Sequence, residues 1–152
     1  MQFPSPHPLK AEHETLHTTL RRATREPGAV GEAAKAVAKL LHGHFEKEEA
    51  YALPPLALLS NLARGKIVPE MKEVLAMTDR LKLDFQSMLQ EHQAIVAALE
   101  RLSAAAAKVN KPQYEEFAKA LTQHAQMEEQ VLYPTAILIG EYVKQRLHLA
   151  QL

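Results

Sequence analysis

The residue pairs best equipped for chemistry are His44-x-x-x-Glu48 and His124-x-x-x-Glu128. Residues four apart on a helix project from one face, about 6 Å apart along the axis. Each pair therefore offers an imidazole and a carboxylate side by side. Each also continues an apolar seam that steps by three and four. One runs Ala33, Val37, Leu40, His44, Glu48, Tyr51, and the other Phe117, Leu121, His124, Glu128, Val131. That spacing buries a face between helices. A carboxylate there is costly unless it is paired or bound to a metal ion.

The pairs are copies of each other. His44 and His124 are 80 residues apart, as are Pro54 and Pro134, and a Glu-His pair precedes each copy, Glu12-His13 and Glu91-His92. His13 lies on the seam Leu9, His13, Leu16, Leu20, and His92 on the seam Leu81, Phe85, Met88, His92, Ile95, Leu99, Leu102. Facing seams would converge His13, His17, His44 and Glu48 with His92, His124 and Glu128. Imidazole and carboxylate without thiolate suit iron, manganese or zinc. Inward Glu and His from four helices is also the plan of carboxylate di-metal bundles, although His here precedes Glu by four instead of following it by three. Glu12, Glu49, Glu91 and Glu129 read as supporting or surface groups, Tyr51 and Tyr133 as packing residues, and His7, His42 and His148 as surface groups. His13-Glu14-Thr15-Leu16-His17 also fits a zinc-peptidase pattern, but the duplicated set already accounts for both histidines.

The elements that must carry these residues follow from composition and punctuation. The chain has 152 residues, 47% hydrophobic and 5% aromatic, with 18 basic and 18 acidic residues and no cysteine. A chain of this length forms one domain that buries about two-thirds of its unfolded surface. Zero net charge gives no field to recruit nucleic acid or an anionic membrane, and the lack of cysteine removes disulfides and thiolate ligands. Neither a signal peptide nor a membrane span is evident, so the expected setting is soluble and cytoplasmic. Pro and Gly divide the chain into an extended arm to Pro8, helices of about 9–25, 30–53, 69–108 and 113–133, and an apolar helical tail. Short connections pair the helices as two antiparallel hairpins, and two hairpins make a four-helix bundle. The predicted layout is a single domain, with an all-α, antiparallel up-down bundle over about 9–134 and an additional C-terminal helix in 135–152. Ile137, Leu138 and Ile139 of that tail want cover and could form a homodimer face.

The ordered set Glu12-His13, His44-x-x-x-Glu48, Glu91-His92, His124-x-x-x-Glu128-Glu129 resembles the hemerythrin-like, HHE cation-binding family from about Leu9 to Pro134. The resemblance implies a four-helix bundle holding two non-haem iron ions, with an oxo or hydroxo bridge, five histidine ligands and two bridging carboxylates. Carried onto this chain, His13, His44, His92 and His124 are ligands and Glu48 and Glu128 the bridges. The oxygen carriers of the family place a His-x-x-x-His pair on the third helix, where this chain has His92 and Val96. Here the extra histidine is His17 on the first helix. The expected function is binding of, or reaction with, oxygen, peroxide or nitric oxide, with zinc or manganese as substitute metals. The alternatives are an iron-donating module without turnover, a zinc peptidase and a metal-free interaction module. On this reading His13, His17 and His44 saturate one iron, and the small molecule binds the His92/His124 iron in a dry pocket beside Val96.

Overall fold

A computed structural model describes residues 1–149, and every regular element among them is helical. The elements are α1 (His7–Thr24), α2 (Gly28–Lys47), a first π-turn (Glu48–Ala52), a 3-10 turn (Pro54–Leu58), α3 (Leu59–Ala63), a second 3-10 turn (Pro69–Val74), α4 (Leu75–Lys108), α5 (Pro112–Met127), a second π-turn (Glu128–Leu132) and α6 (Tyr133–Arg146). Gly28 at φ 68° and Asn110 at φ 54° make the turns before α2 and after α4, in the left-handed region that Gly and Asn enter most readily.

The four longer helices touch in the cyclic order α1, α2, α4, α5, which closes a bundle. Its apolar core comes in two clusters. Along α4, Leu81 and Met88 belong to one cluster and Ile95, Leu99 and Leu102 to the other. His92 falls between them. On α2 and α5, His44 and His124 fall at the same change of cluster. The buried polar groups His13, His44, Glu48, His92, His124 and Glu128 therefore form one layer across an otherwise apolar interior.

The chain from 69 to 108 starts as a 3-10 turn, so α4 proper is shorter than the uninterrupted helix expected. The stretch that leads into α4 is covered, because Met71, Val74 and Thr78 are buried and α6 packs along α4. Tyr133, Ala136, Ile139 and Val143 of α6 supply that cover, while Leu138 points outward at 65% exposure. Pro134 does not break the rod, since it stands in the first turn of α6, where a missing amide hydrogen costs no helical bond. Lys144, also buried, is held by Asp79 Oδ1 at 2.7 Å.

Candidate metal centre

Glu48 and Glu128 open the two π-turns. A π-turn closes a hydrogen bond over five residues instead of four, and it is frequent at functional sites. The Leu53 amide donates to the Glu48 carbonyl at 2.9 Å, and the Tyr133 amide donates likewise to Glu128. The extra residue changes which side chain turns inward. Val131, expected on the seam, is 48% exposed, whereas Tyr133 is 0% exposed. In the first copy Ala52 and Leu53 are buried and Tyr51 is only half-buried.

The imidazoles pair across the bundle. His13 Nε2 lies 3.0 Å from His124 Nε2, and His44 Nε2 lies 2.8 Å from His92 Nε2. Each carboxylate divides its oxygens between the pairs. Glu48 Oε1 is 2.5 Å from His44 Nε2 and Glu48 Oε2 is 3.3 Å from His13 Nε2. Glu128 Oε1 is 3.2 Å from His92 Nε2, and its Oε2 is 3.3 Å from His124 Nε2. Two quartets result, His13/Glu48/His124/Glu128 and His44/Glu48/His92/Glu128, each with its donor atoms within 4.8 Å of one another. Both carboxylates belong to both. The hairpin-wise grouping expected from sequence, with His92 and His124 on one metal, is replaced by α1 with α5 and α2 with α4. Side chains meet across the bundle axis, so neighbours in sequence need not share a site.

Glu91 Oε2 is 3.6 Å from His44 Nδ1, too far for a hydrogen bond, and that nitrogen is buried without a partner among the described residues. Two other rings have a hydrogen-bonded carboxylate behind them: Glu12 Oε1 is 2.8 Å from His124 Nδ1 and Glu129 Oε1 is 2.9 Å from His92 Nδ1. Such a partner fixes the hydrogen on Nδ1 and presents Nε2 as a lone pair. In each facing pair one ring, His124 or His92, thus turns a lone pair toward the Nε2 of the other. A cation between the two rings would take a lone pair from each. Donors about 2.1 Å from one octahedral ion and at right angles are about 3 Å apart, which is the spacing of both imidazole pairs. Glu48 Oε2 and Glu128 Oε2 are also buried without a hydrogen-bond partner among the described residues. Natural interiors seldom leave such atoms unmatched, and the donor set fits two metal ions.

Without a cation the layer holds protons. Burial, reinforced by the adjacent Glu128, pushes the Glu48 carboxyl up to about 7. Burial acts the same way on Glu128, but hydrogen bonds from Glu48 and the histidines hold it well below the usual carboxylate range. Burial opposes protonation of His124, yet Glu128 and Glu12 outweigh it and raise the ring to about 9. His92 is raised by Glu128 in the same way, again against burial. These are the protons a metal ion displaces on binding.

Two expected participants lie elsewhere. His17 is in neither quartet. Its ring packs on Phe45 at 4.5 Å between centroids, and burial lowers its pKa. Glu14 is exposed, so the peptidase pattern has no base at the site. Val96 is half-buried beside His92 in an open groove of about 340 Å³ that Glu100, Gln126 and Glu129 also line. That groove is polar-rimmed, not the dry pocket expected there. One residue joins the site that helical spacing did not single out. Tyr133 donates its hydroxyl to Glu48 Oε1 at 3.0 Å and lies 3.2 Å from His44 Nε2 and 3.3 Å from His92 Nε2. Five residues after Glu128, it would be about 140° off the ligand face of a regular α-helix. Only the π-turn brings it in.

Over residues 6–136 the chain matches the family model described as Hemerythrin HHE cation binding domain. No curated protein and no solved structure matches it.

Proposed function

The chain belongs to the hemerythrin HHE cation-binding family, and from that premise we propose that it is a di-iron protein that binds or transforms oxygen, peroxide or nitric oxide. The observation that carries this reading is the sharing of Glu48 and Glu128 by two histidine pairs. His13 and His124 would hold one ion, His44 and His92 the other, and the two carboxylates would span both. When bound, the irons supply redox-active Lewis-acid positions for a small neutral or anionic molecule. The protein's own part is to hold His124 and His92 in one tautomer through Glu12 and Glu129, and to keep bulk water from the layer with the apolar clusters at either end. We read the four long helices as an antiparallel up-down bundle and α6 as an additional C-terminal helix that closes one end.

Anaerobic purification followed by metal analysis and an optical spectrum tests the proposal. Two irons per chain, with near-ultraviolet oxo-to-iron absorption after exposure to air, are expected. One stoichiometric zinc and no iron, from cells grown with ample iron, would overturn it. Ready loss of both irons to a mild chelator would instead mark a module that donates iron.

A further inference from the structure

The two halves of the site repeat the same His-x-x-x-Glu step and π-turn but differ at the residue that closes the turn. Residue 53 stands to Glu48 as residue 133 stands to Glu128, each five positions on and each closing a π-turn onto its glutamate. One is leucine and the other tyrosine. The Tyr133 oxygen, His44 Nε2 and His92 Nε2 are 2.8, 3.2 and 3.3 Å apart. That triangle is close to one face of an octahedral donor set, whose edges are about 3 Å. With Glu48 Oε1 and Glu128 Oε1, this side presents five donors. The His13/His124 side presents four, two imidazoles and the two Oε2 atoms. The residue that matches Tyr133 there is Leu53, which has no donor and lines a cavity together with His13. That cavity, of about 250 Å³, is also lined by Lys10 and Glu49 and roofed by Phe3 and Ser5 of the N-terminal arm.

We propose that Tyr133 is a metal donor on the His44/His92 side, and that the leucine in its place at residue 53 leaves the His13/His124 side as the one an outside molecule reaches, from the cavity beneath the N-terminal arm. This rests on the di-metal reading above. On metal loading the phenol O–H bond breaks, an O–metal bond forms, and the proton passes to solvent. No electron is exchanged. The cavity offers one cation, Lys10, one anion, Glu49, and an apolar wall, Leu53, so it carries no net charge and suits a small neutral molecule such as a diatomic. The α4/α5 groove beside Val96 would then play no part.

The test uses the full chain loaded with ferric iron, with azide as the small-molecule probe. A phenolate-to-iron charge-transfer band in the visible, with tyrosine ring modes in its resonance Raman spectrum, is expected in the wild type. Both should vanish in Tyr133→Phe while two irons are retained. Leu53→Tyr should weaken azide binding at least tenfold with two irons in place. Leu53→Phe, which fills the same space without a donor, should do the same and guards against misfolding of the first variant. Two irons with a spectrum that Tyr133→Phe leaves unchanged would overturn the assignment of Tyr133 alone. Wild-type azide affinity in both Leu53 variants would overturn the placement of the open side. Fewer than two metal ions in the wild type would overturn the proposed function together with this inference.

Discussion

At the scale of single residues the site separates ligands from the groups behind them. Glu128 is shared by both quartets, so Glu128→Gln removes the negative charge that both ions would share and turns one of its two oxygens into an amide nitrogen, a poor donor. It should bring metal content below one ion per chain. Glu129 touches only the Nδ1 edge of His92. Its change to Gln should lower affinity by about 10- to 100-fold, as loss of a partner behind a ligand usually does, yet still allow two ions at saturating metal. Equal losses in the two variants would show that the shared carboxylate has been misplaced. His17 gives the complementary case. Because its ring lies on Phe45 outside both quartets, His17→Ala should keep full stoichiometry and cost only about 1 kcal/mol of packing, whereas His13→Ala should lose metal. Metal analysis of the two purified variants decides between them.

At the scale of elements, two features position the layer. The π-turns set the azimuth of Leu53 and Tyr133, and the close approach of α6 to α4 holds Tyr133 in place. Gly140 makes that approach possible, since a Cβ on it would overlap Thr78 Oγ1 and lie 2.6 Å from Thr78 Cβ. Gly140→Ala should therefore destabilise the chain by about 1–3 kcal/mol through overpacking. Thr78→Ala in the same chain should recover only part, because residue 78 keeps its Cβ. Chemical denaturation of the single and double variants measures both quantities. A neutral Gly140→Ala would mean that α6 can move away from α4 without penalty.

At the scale of the whole molecule, metal and fold should be coupled. A ligand that binds only the folded state at 1,000 times its dissociation constant stabilises it by about 4 kcal/mol. Melting temperature should accordingly rise on loading and fall with chelation. The pH dependence has a definite sign. His124, raised from 6.5 to about 9, contributes stability to the metal-free chain that is complete below pH 6.5 and is lost as pH rises through 9. Glu48, raised from 4.5 to about 7, loses its contribution between those values. Glu128, held below 4.5, and His17, lowered from 6.5, act in the opposite sense but at more acid pH. Between about pH 7 and 9 the metal-free protein should melt at progressively lower temperature. Metal ions replace those protons, so the loaded protein should not follow, and the gap should widen with pH. Melts of both forms at three pH values test this, and a constant gap would separate the metal from the titrating layer.

The sequence by itself determined the identity of the polar layer. His13, His44, Glu48, His92, His124 and Glu128 each sit at a helical step among apolar residues, and helical periodicity fixes the azimuth of a side chain on its own helix. It also made the duplication visible, and with it the family. What periodicity cannot fix is which helix faces which, because that depends on packing between elements far apart in the chain. The cross-bundle pairing of His13 with His124 and of His44 with His92 was therefore decided only by the tertiary structure. So were the positions of His17, turned onto Phe45, and of Val96, on an open groove. Tyr133 was hidden for a different reason. A regular helix of 3.6 residues per turn points it away from Glu128, and only a turn one residue longer carries its hydroxyl to Glu48, His44 and His92.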